Sequence, residues 1–247
     1  MRLSAFALVL TLIMPFNLWG QTSPVSRSLR IMGTELKPYT WTNENLEVVG
    51  LLPELLKRIS EKLGRPAGYE LFPWARAQVM VQDGDADGFV GTISPERSAF
   101  ADPGSVPLVP VNVHGFYLTT NKKIPSPPTL ESFKGLTGGA ILGNTWAINN
   151  LQNKGFPLTS AKDMASLVQM LLLGRIDYIP ENEIILRAYL KELGIRENVD
   201  SLLIDKTAMY LYIGKNSPFL QLRREIDQAI QEIHLSGEYE KMERKYR

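Results

Sequence analysis

Two rhythms of apolar residues alternate along the chain. In 51–64, Leu51, Leu55 and Ile59 fall on one helical face with Leu52, Leu56 and Leu63 beside it, which predicts a helix. Pro53 suits its first turn and Gly64 its end. Shorter runs bracket it: LRIMG at 29–33 and YELF at 69–72 read as strands. PWARAQVMVQDG predicts a second helix, opened by Pro73 and closed near Gly84, and ADGFVG at 86–91 a third strand. Strands alternating with helices imply a parallel α/β sheet. The pattern then recurs: TGGAIL at 137–142 reads as a strand, and Ser160 with Asp163 resembles a capping box for a helix running to Leu173. Gly174 ends that helix, RIDYI is a strand, and Glu181-Asn182-Glu183 opens a further helix to Leu193.

The two halves share a phrase. Gly84-Asp85-Ala86-Asp87 and Gly174-Arg175-Ile176-Asp177 each follow a helix and lead into an apolar strand. Thr92 and Asn182 lie five residues past Asp87 and Asp177, at equivalent strand ends, and open α/β sheets bind ligands outside such ends. Two sheets facing each other would form a cleft lined by both positions. Helix–Gly–strand is also common by chance, so the register is the useful part. Long apolar strands at 111–119 and 208–214 flank the middle region and suit a hinge between two lobes. Ser217 and Pro218 suit the start of a long C-terminal helix.

Composition narrows the function. The 247 residues carry 27 Lys+Arg against 26 Asp+Glu, without a block of like charge, so neither nucleic acid nor an anionic membrane is an expected partner. Cysteine is absent, which excludes a disulfide framework, a thiol nucleophile and a lipid-modified N-terminal Cys. Arg2, the apolar run to Met14, Pro15 and small Gly20 describe a secretory signal peptide over 1–22. The strictly apolar run is too short for the ~20 residues a spanning helix needs. His114 and His234 lie far apart, and no phosphate-binding glycine loop or nucleophile elbow occurs; neither metal nor cofactor is expected.

Thr92-Ile93-Ser94-Pro95-Glu96-Arg97 is the strongest candidate site. Ser94 can cap a helix beginning at Pro95, whose free N–H groups favour an anion, and Arg97 adds a fork that matches a carboxylate. The competing reading is a capped helix whose Arg97 pairs with Glu96 or Asp102. Trp74, at a helix start, is as readily core as cleft. Glu181 and Glu183 also suit a helix N-terminus as favourable charges.

In order and spacing, LRIMGTELKPYTW, GLLPELLKRISEKLG, DADGFVGTISPERSAFADPGSVPL, FKGLTGGAILGNTW, LLLGRIDYI and GEYEKMERKYR together resemble the family 3 extracellular solute-binding proteins, the polar amino-acid binders of bacterial importers. The resemblance implies a two-lobed type II periplasmic-binding fold with two hinge strands: 23–115 plus 212–247 in lobe one, 116–211 in lobe two. It implies a monomer that binds a small carboxylate ligand in the periplasm and delivers it to an ABC transporter permease or a sensor. It gives Thr92, Ser94 and Arg97 to the ligand carboxylate, Glu35, Tyr39 and Trp41 to an acidic and aromatic wall, and Asn144 with Thr145 to a ligand-bonding turn. Position 182 departs from the pattern: amino-acid binders usually carry Asp there for the ligand's ammonium, and this chain has Asn182. Either Glu181 or Glu183 takes over, or the ligand lacks an ammonium. A few relatives dehydrate cyclic acids, so an enzyme using Glu35, Glu181 or Glu183, or a detached sensing module, are the alternatives to a transport binder.

Overall fold

The computed structural model describes residues 27–195 and 198–246; the signal-peptide reading lies outside them. In chain order the elements are β1 (Leu29–Gly33), β2 (Trp41–Thr42), β3 (Val48–Val49), α1 (Leu51–Leu63), β4 (Ala67–Leu71), α2 (Trp74–Asp83), β5 (Gly88–Thr92), α3 (Pro95–Phe100), β6 (Ala101–Asp102) and β7 (Val109–Leu118). Then come β8 (Gly138–Ile141), α4 (Thr145–Asn150), β9 (Leu158–Ala161), α5 (Met164–Leu172), β10 (Tyr178–Asn182), α6 (Glu183–Glu192), β11 (Val199–Gly214), α7 (Arg223–Leu235) and α8 (Glu238–Glu243). The helix at 51–63 buries the face its periodicity assigns: Leu51, Leu52, Leu55, Leu56 and Ile59.

The strands pair in the order β4-β1-β5-β11-β7-β10-β8-β9, with β6 beside β11. Within each lobe neighbours run parallel: β4, β1 and β5 in the first, β10, β8 and β9 in the second. β7 and β11 pair antiparallel with each other and with both lobes. The expected pair of separate parallel sheets is therefore corrected to one mixed sheet, because the two hinge strands hydrogen-bond continuously from lobe to lobe. The second of them is also longer than the apolar run at 208–214. Residues 199–207 are mostly half-exposed, so their polar side chains hide the strand in the sequence.

The shared phrase corresponds to a shared structural device. Asp87 donates its N–H to the Arg30 carbonyl at 2.9 Å while its Oδ2 accepts the Arg30 N–H at 2.9 Å. Asp177 does the same to Thr137, at 2.7 and 3.0 Å. Each Asp thus clasps the parallel neighbour at the point where its own strand begins. The glycines serve the same geometry. Gly84 ends α2 at φ 85°, a conformation that costs other residues strain. A Cβ on Gly88 would lie 2.0 Å from the Tyr212 carbonyl oxygen, so only glycine lets β5 approach β11.

Two expected helix starts differ. Asp163 alone caps α5, its carboxylate accepting the Ser166 N–H at 2.8 Å; Ser160 is committed to β9. The C-terminal helix is two: Ser217 and Pro218 open a short 3-10 turn, α7 follows, and Gly237 at φ 74° separates it from α8.

Candidate functional site

β5 ends at Thr92, and Ser94 in extended backbone starts α3, its Oγ accepting the Arg97 N–H at 3.3 Å. That cap turns the Arg97 side chain back along the end of β5. Its Nη1 donates to the Thr92 carbonyl at 2.8 Å and to Thr92 Oγ1 at 3.0 Å. Its Nε donates to Gln78 Oε1 at 3.2 Å, and its Nη2 crosses to the second lobe and donates to Thr145 Oγ1 at 3.1 Å. The guanidinium lies over the Trp74 ring, 5.2 Å from its centroid, and Trp74 in turn meets Phe89 edge-on.

Arg97 is only 6% exposed, yet all its acceptors are neutral. Among the described residues it forms no ion pair: Glu96 is exposed to solvent, and Asp102 accepts the Gly104 N–H at 2.7 Å. The purely structural pairing with Glu96 or Asp102 is thereby corrected. Burial pushes the guanidinium down from its ordinary value, with Tyr212 and Glu96 opposing. A buried cation held only by neutral oxygens leaves the site short of one negative charge.

In front of Arg97 lies a cleft of about 440 Å³. Thr92, Ile93 and Ser94 line it from the first lobe, Thr145, Trp146, Asn149 and Asn150 from the second, and residues 205–208 with Tyr210 from β11. Thr92 and Thr145, the two hydroxyls on the Arg97 fork, are both wall residues, so the guanidinium stands directly behind the wall.

Tyr39 and Asn182 form a second cross-lobe group. The Asn182 amide donates to the Tyr39 hydroxyl at 3.1 Å, and its carbonyl oxygen caps α6 by accepting the Ile184 N–H at 3.0 Å. Both residues are buried, and Asn182 is not among the cleft-lining residues. Of the two strand-end positions, Thr92 lines the cleft and Asn182 lies in the lobe contact, its side chain bonding Tyr39 and capping α6. Beside it, burial pushes the Glu181 carboxyl up to about 7, against the Asn182 N–H that it accepts at 2.7 Å.

The remaining predicted residues lie apart. Glu183 pairs with Arg187 at 2.9 Å and lies 3.4 Å from His114. The Asn144 side chain caps α4 by accepting the Ala147 N–H at 3.0 Å. Glu35 accepts the Thr42 N–H at 3.3 Å and braces a loop, while Trp41 packs edge-on against Tyr246. Sequence reasoning missed Gln78, Trp146, Asn149, Asn150, Asp205, Thr207 and Tyr210. Only the polar face of the short helix at 145–150 gave a local signal for any of them.

This arrangement, with the carboxylate-matching fork between two lobes strapped by paired hinge strands, can be set beside known proteins. The sequence profile of bacterial extracellular solute-binding proteins, family 3, matches residues 30–247. The chain belongs to that family. No curated protein matches the sequence of this solute-binding protein. Among solved structures it is similar to an ancestral arginine-binding protein bound to arginine, at 23% identity and TM-score 0.71, covering 90% of this chain and 99% of that one. It is similar to a histidine kinase sensor domain resembling periplasmic binding proteins, at 18% and 0.73, covering 89% and 96%. It is also similar to an ancestral amino acid-binding protein that is a precursor of cyclohexadienyl dehydratase, at 19% and 0.70, covering 89% and 95%. These identities establish the fold; the ligand must be argued from the site.

Proposed function

We propose that this family 3 solute-binding protein captures a small carboxylate-bearing solute, amino acids foremost, by setting the carboxylate on Arg97. The observation that carries the reading is the buried guanidinium with no anionic partner among the described residues. Its four hydrogen bonds use four of the five N–H groups of an arginine, and the fifth lies on Nη2, toward the second lobe. A carboxylate arriving through the cleft would replace the Thr145 hydroxyl and supply the missing charge. The arginine and amino-acid ligands of the two ancestral relatives fit the same chemistry.

The proposal is of a binder and not an enzyme. Glu181, whose carboxyl burial raises toward neutrality, is not among the cleft-lining residues, and the acid that is, Asp205, has both oxygens bonded, to the Trp146 indole N–H and the Lys206 N–H. Export through a cleaved segment over 1–22, lobes of 23–115 plus 212–247 and 116–211, and delivery to an importer permease or a sensor complete the proposal. A thermal-shift panel of amino acids, each beside its deaminated analogue, tests it. A ligand at ~100 times its Kd stabilises by about 2.7 kcal/mol, which is roughly 5–10 °C for a chain of this size. A response confined to sugars or inorganic ions would refute the carboxylate reading.

A further inference from the structure

The resemblance implies an ammonium-binding acid at position 182, but this chain has Asn182, whose amide bonds Tyr39 and caps α6. Sheet register shows what stands nearby. Asn182 of β10 pairs with Val113 of β7, and Val113 pairs on its other side with Asp205 of β11. Directly opposed residues of antiparallel strands share a face, so Asn182 and Asp205 flank Val113 on one face of the sheet, about 10 Å apart. Asp205 is the acid among the residues that line the cleft. It reaches that place through an irregularity: the register of β11 against β7 slips between Leu203 and Asp205, a bulge of the kind that re-aims a side chain.

Asp205 is also pre-oriented. Its Oδ2 accepts the Trp146 indole N–H at 3.2 Å, and its Oδ1 accepts the Lys206 N–H at 2.8 Å. Trp146 directly follows Thr145, the residue on the Arg97 fork. Consecutive residues of α4 thus touch Arg97 and Asp205. Lys206, exposed and paired in register with Asn112, also lines the cleft.

We propose that Asp205 is the residue that recognises the ligand's cationic group, in the place that Asn182 has given up, so that the cleft takes a solute carrying both a carboxylate and an amine. The inference rests on the carboxylate reading above and adds the second charge to it. The test is calorimetric titration of wild type, Asp205→Asn and Asp205→Glu with those amino acids, L-arginine, L-glutamine and L-glutamate included, that raise the wild-type melting temperature, and with their deaminated analogues. Asparagine keeps an oxygen for Trp146 and removes only the charge, so the unliganded variant should melt close to wild type. The affinity for the amine-bearing ligand should fall about 10- to 150-fold, the span of a hydrogen bond to a charged group. The deaminated analogue should bind both proteins alike, and Asp205→Glu, which keeps the charge, should keep the preference for the amine even if Asp205→Asn folds poorly. Equal affinity of wild type and Asp205→Asn for the amino acid overturns the assignment and leaves the carboxylate reading standing. Wild type binding only deaminated acids does the same, while a wild type that binds neither class removes both.

Discussion

Arg97→Ala should weaken the binding of a carboxylate ligand by about 10- to 150-fold while the protein still folds. A hydrogen bond to a charged group is worth roughly 1.5–3 kcal/mol, which converts to that range. The cost should fall on binding because the groups around the guanidinium in the protein are neutral: Thr92, Gln78 and Thr145. Removing the cation leaves those hydroxyl and amide groups beside a cleft that water can fill. Arg97→Lys should recover only part of the loss, since an ammonium is a point charge and cannot present two parallel N–H groups to a carboxylate. Calorimetric titration of the three proteins with one carboxylate ligand decides the matter. Equal affinities would reduce Arg97 to a strut between the lobes through Thr145.

The largest loss of stability should come from Asp87→Ala, about 2–3 kcal/mol. Asp87 is 0% exposed and gathers four donors: the Arg27 guanidinium at 2.6 and 2.7 Å, the Arg30 N–H at 2.9 Å and the Ser217 hydroxyl at 2.7 Å. Of the donors left behind, the Arg30 N–H and the buried Ser217 hydroxyl lose their acceptor at about 1–3 kcal/mol each, whereas Arg27, whose side chain is 46% exposed, turns to water. The effect reaches three regions at once: β1 through Arg30, the start of β5 itself, and the turn before α7 through Ser217. Asp177→Ala removes the equivalent clasp in the second lobe, but the side-chain donors left there are the half-exposed Asn121 and the 65% exposed Lys123, with no buried hydroxyl like that of Ser217. Urea unfolding of the two variants should therefore show a clearly smaller loss for Asp177→Ala. A loss under about 1 kcal/mol for Asp87→Ala would mean that the shared clasp contributes little to either lobe.

Local patterns made much of this protein legible. The apolar face of α1, the Ser94 cap, the Gly-to-Asp phrase and the placement of Arg97 after β5 all depend on residues within a few positions of one another, which a sequence displays directly. What stayed hidden depends on distant partners. Asn182 meets Tyr39 across 143 residues, a lobe contact that no local pattern displays. Asp205 comes to the cleft through a slip of strand register that has no residue signature of its own. Glu183 fits a favourable helix N-terminus, as its position suggested, but Arg187 one turn later takes its charge. The continuous sheet was hidden for a similar reason: the polar half of β11 is ordered by pairing with β7, not by an apolar run of its own.

The measurement that bears most directly on the whole account is native mass spectrometry of the protein taken gently from the periplasm in which the proposal places it. The account predicts a one-to-one adduct with the mass of a small carboxylic acid carrying an amine, present on wild type and lost or strongly reduced on Arg97→Ala. A sugar, an inorganic ion or an adduct retained equally by Arg97→Ala would contradict it.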